Sequence, residues 1–179
     1  MDFQIVNFIN QFWHGTFLDI ISQYISRSQS MLIIRAIVIT IALFLKKKYW
    51  RFVLLSFVFA WTLFYVTSEI GFKKLLTQET GIMPRPYVTH TESISPIGKN
   101  YSDSSFPSSH IVFTVSMITV LIMVFPAMWP YAILYALIMA WSRMYNGMHY
   151  PSDILAWAIF WILCGWISVV LSKKVFPSV

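Results

Sequence analysis

No residue from Ile111 to Ser142 carries a charge. Wound as one helix, this run would be about 48 Å long, against a bilayer hydrocarbon core of roughly 30 Å. Pro126 and Pro130, near its middle, resolve the excess. Proline removes a backbone donor and clashes with the preceding turn, so the run divides into two helices joined by a tight turn. Three more runs resemble it. Residues 31–45 are apolar apart from Arg35 and end at Lys46-Lys47-Lys48, residues 52–68 are uncharged, and residues 154–172 precede Lys173-Lys174. In lipid, every backbone polar group must find its partner inside the protein, which favours helices. The runs therefore predict an all-α, polytopic membrane helical bundle, one domain over residues 1–179. It has five membrane helices, or six if the N-terminal segment also crosses. Composition agrees. Hydrophobic residues make up 58% and charged ones 11%, where a soluble domain carries about 25% charge.

Residues 1–25 are less regular. Phe3, Ile5, Val6, Phe8, Ile9, Phe12, Trp13, Phe17, Leu18 and Ile21 form a roughly helical apolar stripe interrupted near Gly15. Such a segment lies in the membrane interface or adds a crossing, and the polar residues between favour the interface. Residues 77–106 contain Pro84, Pro86, Pro96 and several serines. They predict an irregular extramembrane loop. With five crossings in sequence, Lys46–Lys48 and Arg51 fall on the same side as Lys173-Lys174. The positive-inside rule makes that side cytoplasmic. The polar clusters described next then face outward from the cytoplasmic membrane.

Those clusters stand at the ends of the apolar runs. One is Ser142-Arg143 followed by His149 and Asp153; another is Pro107-Ser108-Ser109-His110; a third pairs Lys73-Lys74 with Arg85-Pro86. Together they supply what phosphoryl transfer needs, namely fixed cations and donors around the phosphoryl oxygens. Arg85 and Arg143 can each offer two parallel hydrogen bonds, and Lys73 or Lys74 adds a point charge. Pro107 suits the first turn of a helix whose free amides, at Ser108 and Ser109, can bind an anion. His149 and Asp153 are four apart and can meet on one helical face. A carboxylate on one ring nitrogen leaves the other free to attack phosphorus. His110 can protonate the leaving oxygen.

At these residues the chain resembles the type 2 phosphatidic acid phosphatases, which share their site with vanadium haloperoxidases and bacterial acid phosphatases. That family carries Lys-x6-Arg-Pro, Pro-Ser-x-His and Ser-Arg-x5-His-x3-Asp. Ser142, Arg143, His149 and Asp153 match the third without a gap. Pro107, Ser108 and His110 match the second, with Ser109 where glycine is frequent. The first departs: the lysine position falls on Gln78, while Lys73 and Lys74 lie further upstream. The resemblance implies His149 as nucleophile, His110 as acid and Asp153 as the residue orienting His149. Lys73 or Lys74, Arg85, Ser108, Ser109 and Arg143 would bind phosphate. It also implies a phosphohistidine intermediate and a lipid phosphate or pyrophosphate as substrate. Undecaprenyl pyrophosphate ranks first, ahead of phosphatidylglycerol phosphate, phosphatidic acid and lipid A phosphate.

Other chemistries fit less well. A His-x3-Asp pair can hold a divalent ion, but the surrounding Arg and Lys would repel one, so no metal and no other cofactor is expected. No Gly-x-Ser-x-Gly elbow is present for a serine hydrolase. The net charge of +6 flanks apolar runs rather than forming a basic stripe with interleaved aromatics, so no nucleic-acid partner is expected. Cys164 lies inside an apolar run and reads as packing.

Overall fold

The computed structural model describes residues 1–12, 14–45, 50–76, 81, 83–98, 104–106 and 108–176. Lys46–Lys48 and Pro107 lie outside these residues, as do the side chains of Lys73, Lys74 and Ser109. The described secondary structure is entirely helical.

Two short helices open the chain, α1 (Asp2–Gln11) and α2 (Phe17–Ser26). Between them Gly15 adopts φ +79°, and its N–H donates to Asp19 Oδ2 at 3.0 Å. The Thr16 hydroxyl caps α2 by accepting from the Leu18 N–H at 3.3 Å, satisfying a donor that a helix start would otherwise strand. At ten residues each, these helices span only about 15 Å. After Ser26 the chain bends by 62° into α3 (Ser28–Leu45).

The next helix, α4 (Trp50–Phe64), continues without a break into a wider π-wound segment, Tyr65–Leu76. The uncharged run 52–68 is thus one part of a longer element, and Lys73 and Lys74 occupy its last turns. A four-residue helix α5 (Pro86–Thr89) follows, with Pro86 at its first position, where the missing N–H costs nothing. Then come α6 (Ser109–Val124), a 3₁₀ turn at Pro126–Met128, α7 (Trp129–Tyr145) and α8 (Pro151–Val175). The break between α6 and α7 falls at Pro126 and Pro130, as their chemistry requires.

Among the described residues, two stretches are long and apolar enough to cross a bilayer alone: Trp50–Ser68, mean hydropathy 1.5, and Pro151–Val175, mean hydropathy 2.4. The bent pair α2–α3 makes a third if it counts as one span, and α6 is apolar but shorter.

α6, α8 and α4 form the centre of the bundle, with α7 against α6 and the N-terminal helices against α7. Gly165 of α8 allows the closest approach. A Cβ there would meet Thr119 Cβ at 2.5 Å and the Ser116 carbonyl at 2.9 Å. Three apolar clusters stack along the bundle. One joins Ala42, Phe52, Val53, Val120 and Val169. The central one joins Met31, Ile111, Met139, Trp157 and Trp161. The third joins Val6, Tyr87, Ile94 and Met148. Arg51, Lys173 and Lys174 therefore sit at the end opposite the third cluster. That third cluster also shows that the described stretch 83–98 is more than an irregular loop. Ile94 and Ile97 are buried, and the segment seals the end of the bundle over α7.

Candidate active site

Arg85, His110, Arg143 and His149, drawn from the three polar clusters, converge beside that seal. Arg143 ends α7, and the chain must then reverse before α8. Gly147 makes the reversal at φ +69°, a conformation that favours glycine. A Cβ there would also meet Ile94 Cγ2 at 2.7 Å. The turn carries His149 back beneath Arg143. His149 is 1% exposed, Arg143 3% and Arg85 4%, so the group of three is buried.

Both arginines reach the same atom. Arg143 Nη2 lies 3.2 Å and Arg85 Nη1 3.4 Å from His149 Nε2. Guanidinium groups only donate, so Nε2 accepts and its proton resides on Nδ1. Arg85 also donates to the Met148 carbonyl at 3.1 Å and the Ser104 carbonyl at 3.2 Å. Burial, then the charges of Arg143 and Arg85, then His110, hold the His149 pKa well below its ordinary 6.5; the Ser105 backbone works weakly the other way. His149 is therefore a neutral imidazole at physiological pH, with its lone pair pointing at two cations.

The hydrogen bond expected between His149 and Asp153 is not formed. Nδ1 of His149 makes no hydrogen bond of normal geometry among the described residues. Asp153 is the third residue of α8, and its Oδ2 accepts instead from the Tyr150 N–H at 3.1 Å. The capping geometry at the start of α8 draws the carboxylate to the helix's own orphan donor. Ser105 lies close to both partners, its backbone by His149 and its side chain by Asp153.

Ser108 caps the N-terminus of α6 and is fully buried. Its hydroxyl finds no hydrogen-bond partner among the described residues. A buried orphan hydroxyl at a helix N-terminus is a ready donor for an anion. His110, in the first turn of α6, has Nε2 3.0 Å from the Ser26 carbonyl. A carbonyl only accepts, so Nε2 carries a proton. The contribution of Lys73, Lys74 and Ser109 falls on side chains outside the described residues.

The link to Ser26 belongs to a network that the motifs do not contain. Ser22 Oγ donates to Asn146 Oδ1 at 2.7 Å, and Asn146 Nδ2 donates to Ser26 Oγ at 3.0 Å. Ser26 Oγ bonds Ser142 Oγ, which donates to the Ser22 carbonyl at 3.0 Å. Asn10 Nδ2 adds a bond of 2.7 Å to the Tyr145 carbonyl. A signal was present in the sequence. Ser22 and Ser26 are four apart, as are Ser142 and Asn146, so each pair lines one face of its helix.

The model of the PAP2 superfamily matches residues 53–177, which include all three polar clusters. The chain belongs to that superfamily. It is 30% identical over 128 residues to an undecaprenyl-diphosphatase of Sulfolobus acidocaldarius, covering 71% of this chain and 57% of the relative. It is 31% identical over 97 residues to the undecaprenyl-diphosphatase BcrC of Bacillus subtilis, covering 54% of this chain and 49% of the relative. These matches thus span about half the length of each relative. The crystal structure of Aquifex aeolicus LpxE superimposes with a TM-score of 0.66 at 21% identity, over 94% of both chains, which shows a shared fold.

Proposed function

We propose that this protein is a metal-independent lipid-phosphate phosphatase working through a phosphohistidine, with undecaprenyl pyrophosphate as its first-choice substrate. The observation that carries this reading is the convergence of two buried guanidinium groups on the lone pair of one neutral histidine. An incoming phosphoryl group brings negative charge to this pair of cations. Arg85 and Arg143 then turn from Nε2 to the phosphoryl oxygens, joined by the Ser108 hydroxyl and the first amides of α6.

Nε2 of His149 attacks phosphorus, and the bond to the leaving oxygen breaks. The electron pair goes to that oxygen, which takes a proton from His110. Water then attacks the phosphohistidine, His110 removes its proton, and inorganic phosphate leaves. In this reading Asp153 orients His149 once substrate is bound, with Ser105 beside both. Lys73 or Lys74 adds a further cation. The fixed cations do the work a metal would otherwise do. The undecaprenyl-diphosphatase names of the two relatives support the choice of lipid; phosphatidylglycerol phosphate, phosphatidic acid and lipid A phosphate are the alternatives.

The proposed topology has five crossings, with α3, α4, α6, α7 and α8 as the spans. α4 is lengthened by its π-wound continuation, while α6 and α7 are short, at about 24 Å and 26 Å, and a locally thinned bilayer accommodates them. Arg51, Lys173 and Lys174, at the far end of the bundle, support a cytoplasmic placement of that end and an outward-facing site in the cytoplasmic membrane.

Phosphate release by purified protein across the four lipids tests the reading, with and without EDTA and with His149→Ala. Activity should survive EDTA and disappear in the variant, and rapid-quench trapping should find phosphoenzyme only in the parent. Activity lost in EDTA and restored by magnesium or zinc, or phosphoenzyme in His149→Ala, refutes the mechanism.

A further inference from the structure

The space beside Arg143 does not end at the reacting phosphate. A cavity of about 660 Å³ runs outward from Arg143 and Asn146 to the bend between α2 and α3, where Ser26, Arg27, Gln23 and Gln29 line it. Arg27 is exposed there, and its side chain makes no hydrogen bond or ion pair with another described residue. The wall at Ser26 also holds His110, through the 3.0 Å bond to its carbonyl. Since His110 protonates the leaving oxygen, the leaving group must lie on the His110 side of the reacting phosphorus, toward this cavity.

A leaving group with no charge would gain nothing from a guanidinium at that position. A leaving phosphate would gain a charge-assisted contact. We infer that Arg27, helped by Gln23 and Gln29, binds the second phosphate of a lipid diphosphate, so that the enzyme removes the terminal phosphate and releases the lipid monophosphate. This rests on the phosphatase reading above. In the reaction, the bridging P–O bond breaks, its electron pair stays on the bridging oxygen, and that oxygen takes the His110 proton while Arg27 neutralises the departing monophosphate.

The path of the lipid tail supports the same occupant. Gln29 lines the polar cavity, while Leu32, Ala36 and Ile39 of α3 line a separate apolar groove of about 340 Å³ against Leu54 and Trp61 of α4. Spacings of three, four and three place these four α3 residues on one helix face. From Gln29 to Leu32 the rise is about 4.5 Å, so a diphosphate seated at Arg27 delivers its hydrocarbon directly into the groove.

The test compares farnesyl diphosphate with farnesyl monophosphate in detergent, using the full chain and Arg27→Ala. The monophosphate lacks the second phosphate that Arg27 would hold and serves as reference. The ratio of kcat/KM, diphosphate to monophosphate, should fall about tenfold in Arg27→Ala, mainly through KM, and Arg27→Lys should restore part of it. An unchanged ratio, with both substrates hydrolysed, overturns the inference and leaves the phosphatase reading intact. Hydrolysis of neither substrate by the parent protein would instead count against that reading, and this inference would fall with it. Ala36→Trp, which fills the exposed groove, should lower turnover of farnesyl diphosphate more than of methyl diphosphate. Equal effects on the two would remove the groove from the tail's path.

Discussion

Asn146→Ala separates the positioning of His110 from the rest of the chemistry. Asn146 is 2% exposed and bridges Ser22 Oγ at 2.7 Å and Ser26 Oγ at 3.0 Å. Alanine removes both bonds. Neither serine is stranded, because Ser22 Oγ still reaches the Asp19 carbonyl at 3.1 Å and Ser26 Oγ keeps Ser142. The stability loss should then be near the sum of two ordinary neutral bonds, about 2 kcal/mol, rather than the larger cost of buried orphans. The catalytic loss should be selective. With Ser26 less firmly placed, its carbonyl holds His110 less well, and general-acid catalysis of this kind contributes roughly 10²- to 10⁴-fold. Partial loosening should cost about tenfold with an alkyl phosphate, whose leaving oxygen needs a proton. It should cost little with p-nitrophenyl phosphate, whose leaving group departs as the anion. Steady-state kinetics on both substrates, with a thermal melt in detergent, decide the matter. Equal losses on the two substrates would mean that Asn146 acts only on stability, and the link through Ser26 to His110 would be refuted.

Arg85→Gln removes one of the charges that depress the His149 pKa, so the pKa should rise toward 6.5. In the proposed mechanism His149 attacks as the neutral form, so the acid limb of the kcat/KM profile should move to higher pH; a limb that stays or moves down contradicts the electrostatic account. Glu92 and Lys173 are both exposed, near opposite ends of the bundle, and Cys164 is buried. In intact cells an impermeant maleimide should label Glu92→Cys and spare Lys173→Cys, and the reverse pattern would invert the proposed orientation.

The meeting of Arg143 and His149 was legible because the two lie only six residues apart in the chain. The division at Pro126 and Pro130 was legible for a similar local reason. Asp153 shows the limit of spacing arguments. A separation of four permits the bond to His149, but the same carboxylate also sits where α8 needs a cap, and the nearer N–H wins. The network through Asn10, Ser22 and Ser26 was not read because its partners lie 116 to 135 residues away, and single serines in an apolar helix look like filler until a facing helix is known. The burial of Ile94 and Ile97 was hidden by the prolines and serines around them. The π-wound continuation to Leu76 leaves no clear periodic trace in the residues that form it.

The Ser26 carbonyl has a consequence for where this protein can be cut. The stretch common to the superfamily begins at residue 53, and every motif residue lies inside it. Yet the atom that holds His110, and the hydroxyls that brace the end of α7, come from the first 26 residues. Shared ancestry and the proposed machinery therefore have different borders here. A fragment trimmed to the common stretch would keep each reacting group and lose the frame that aims one of them. Chimeras between members of the superfamily should exchange α1, α2 and α7 as a set.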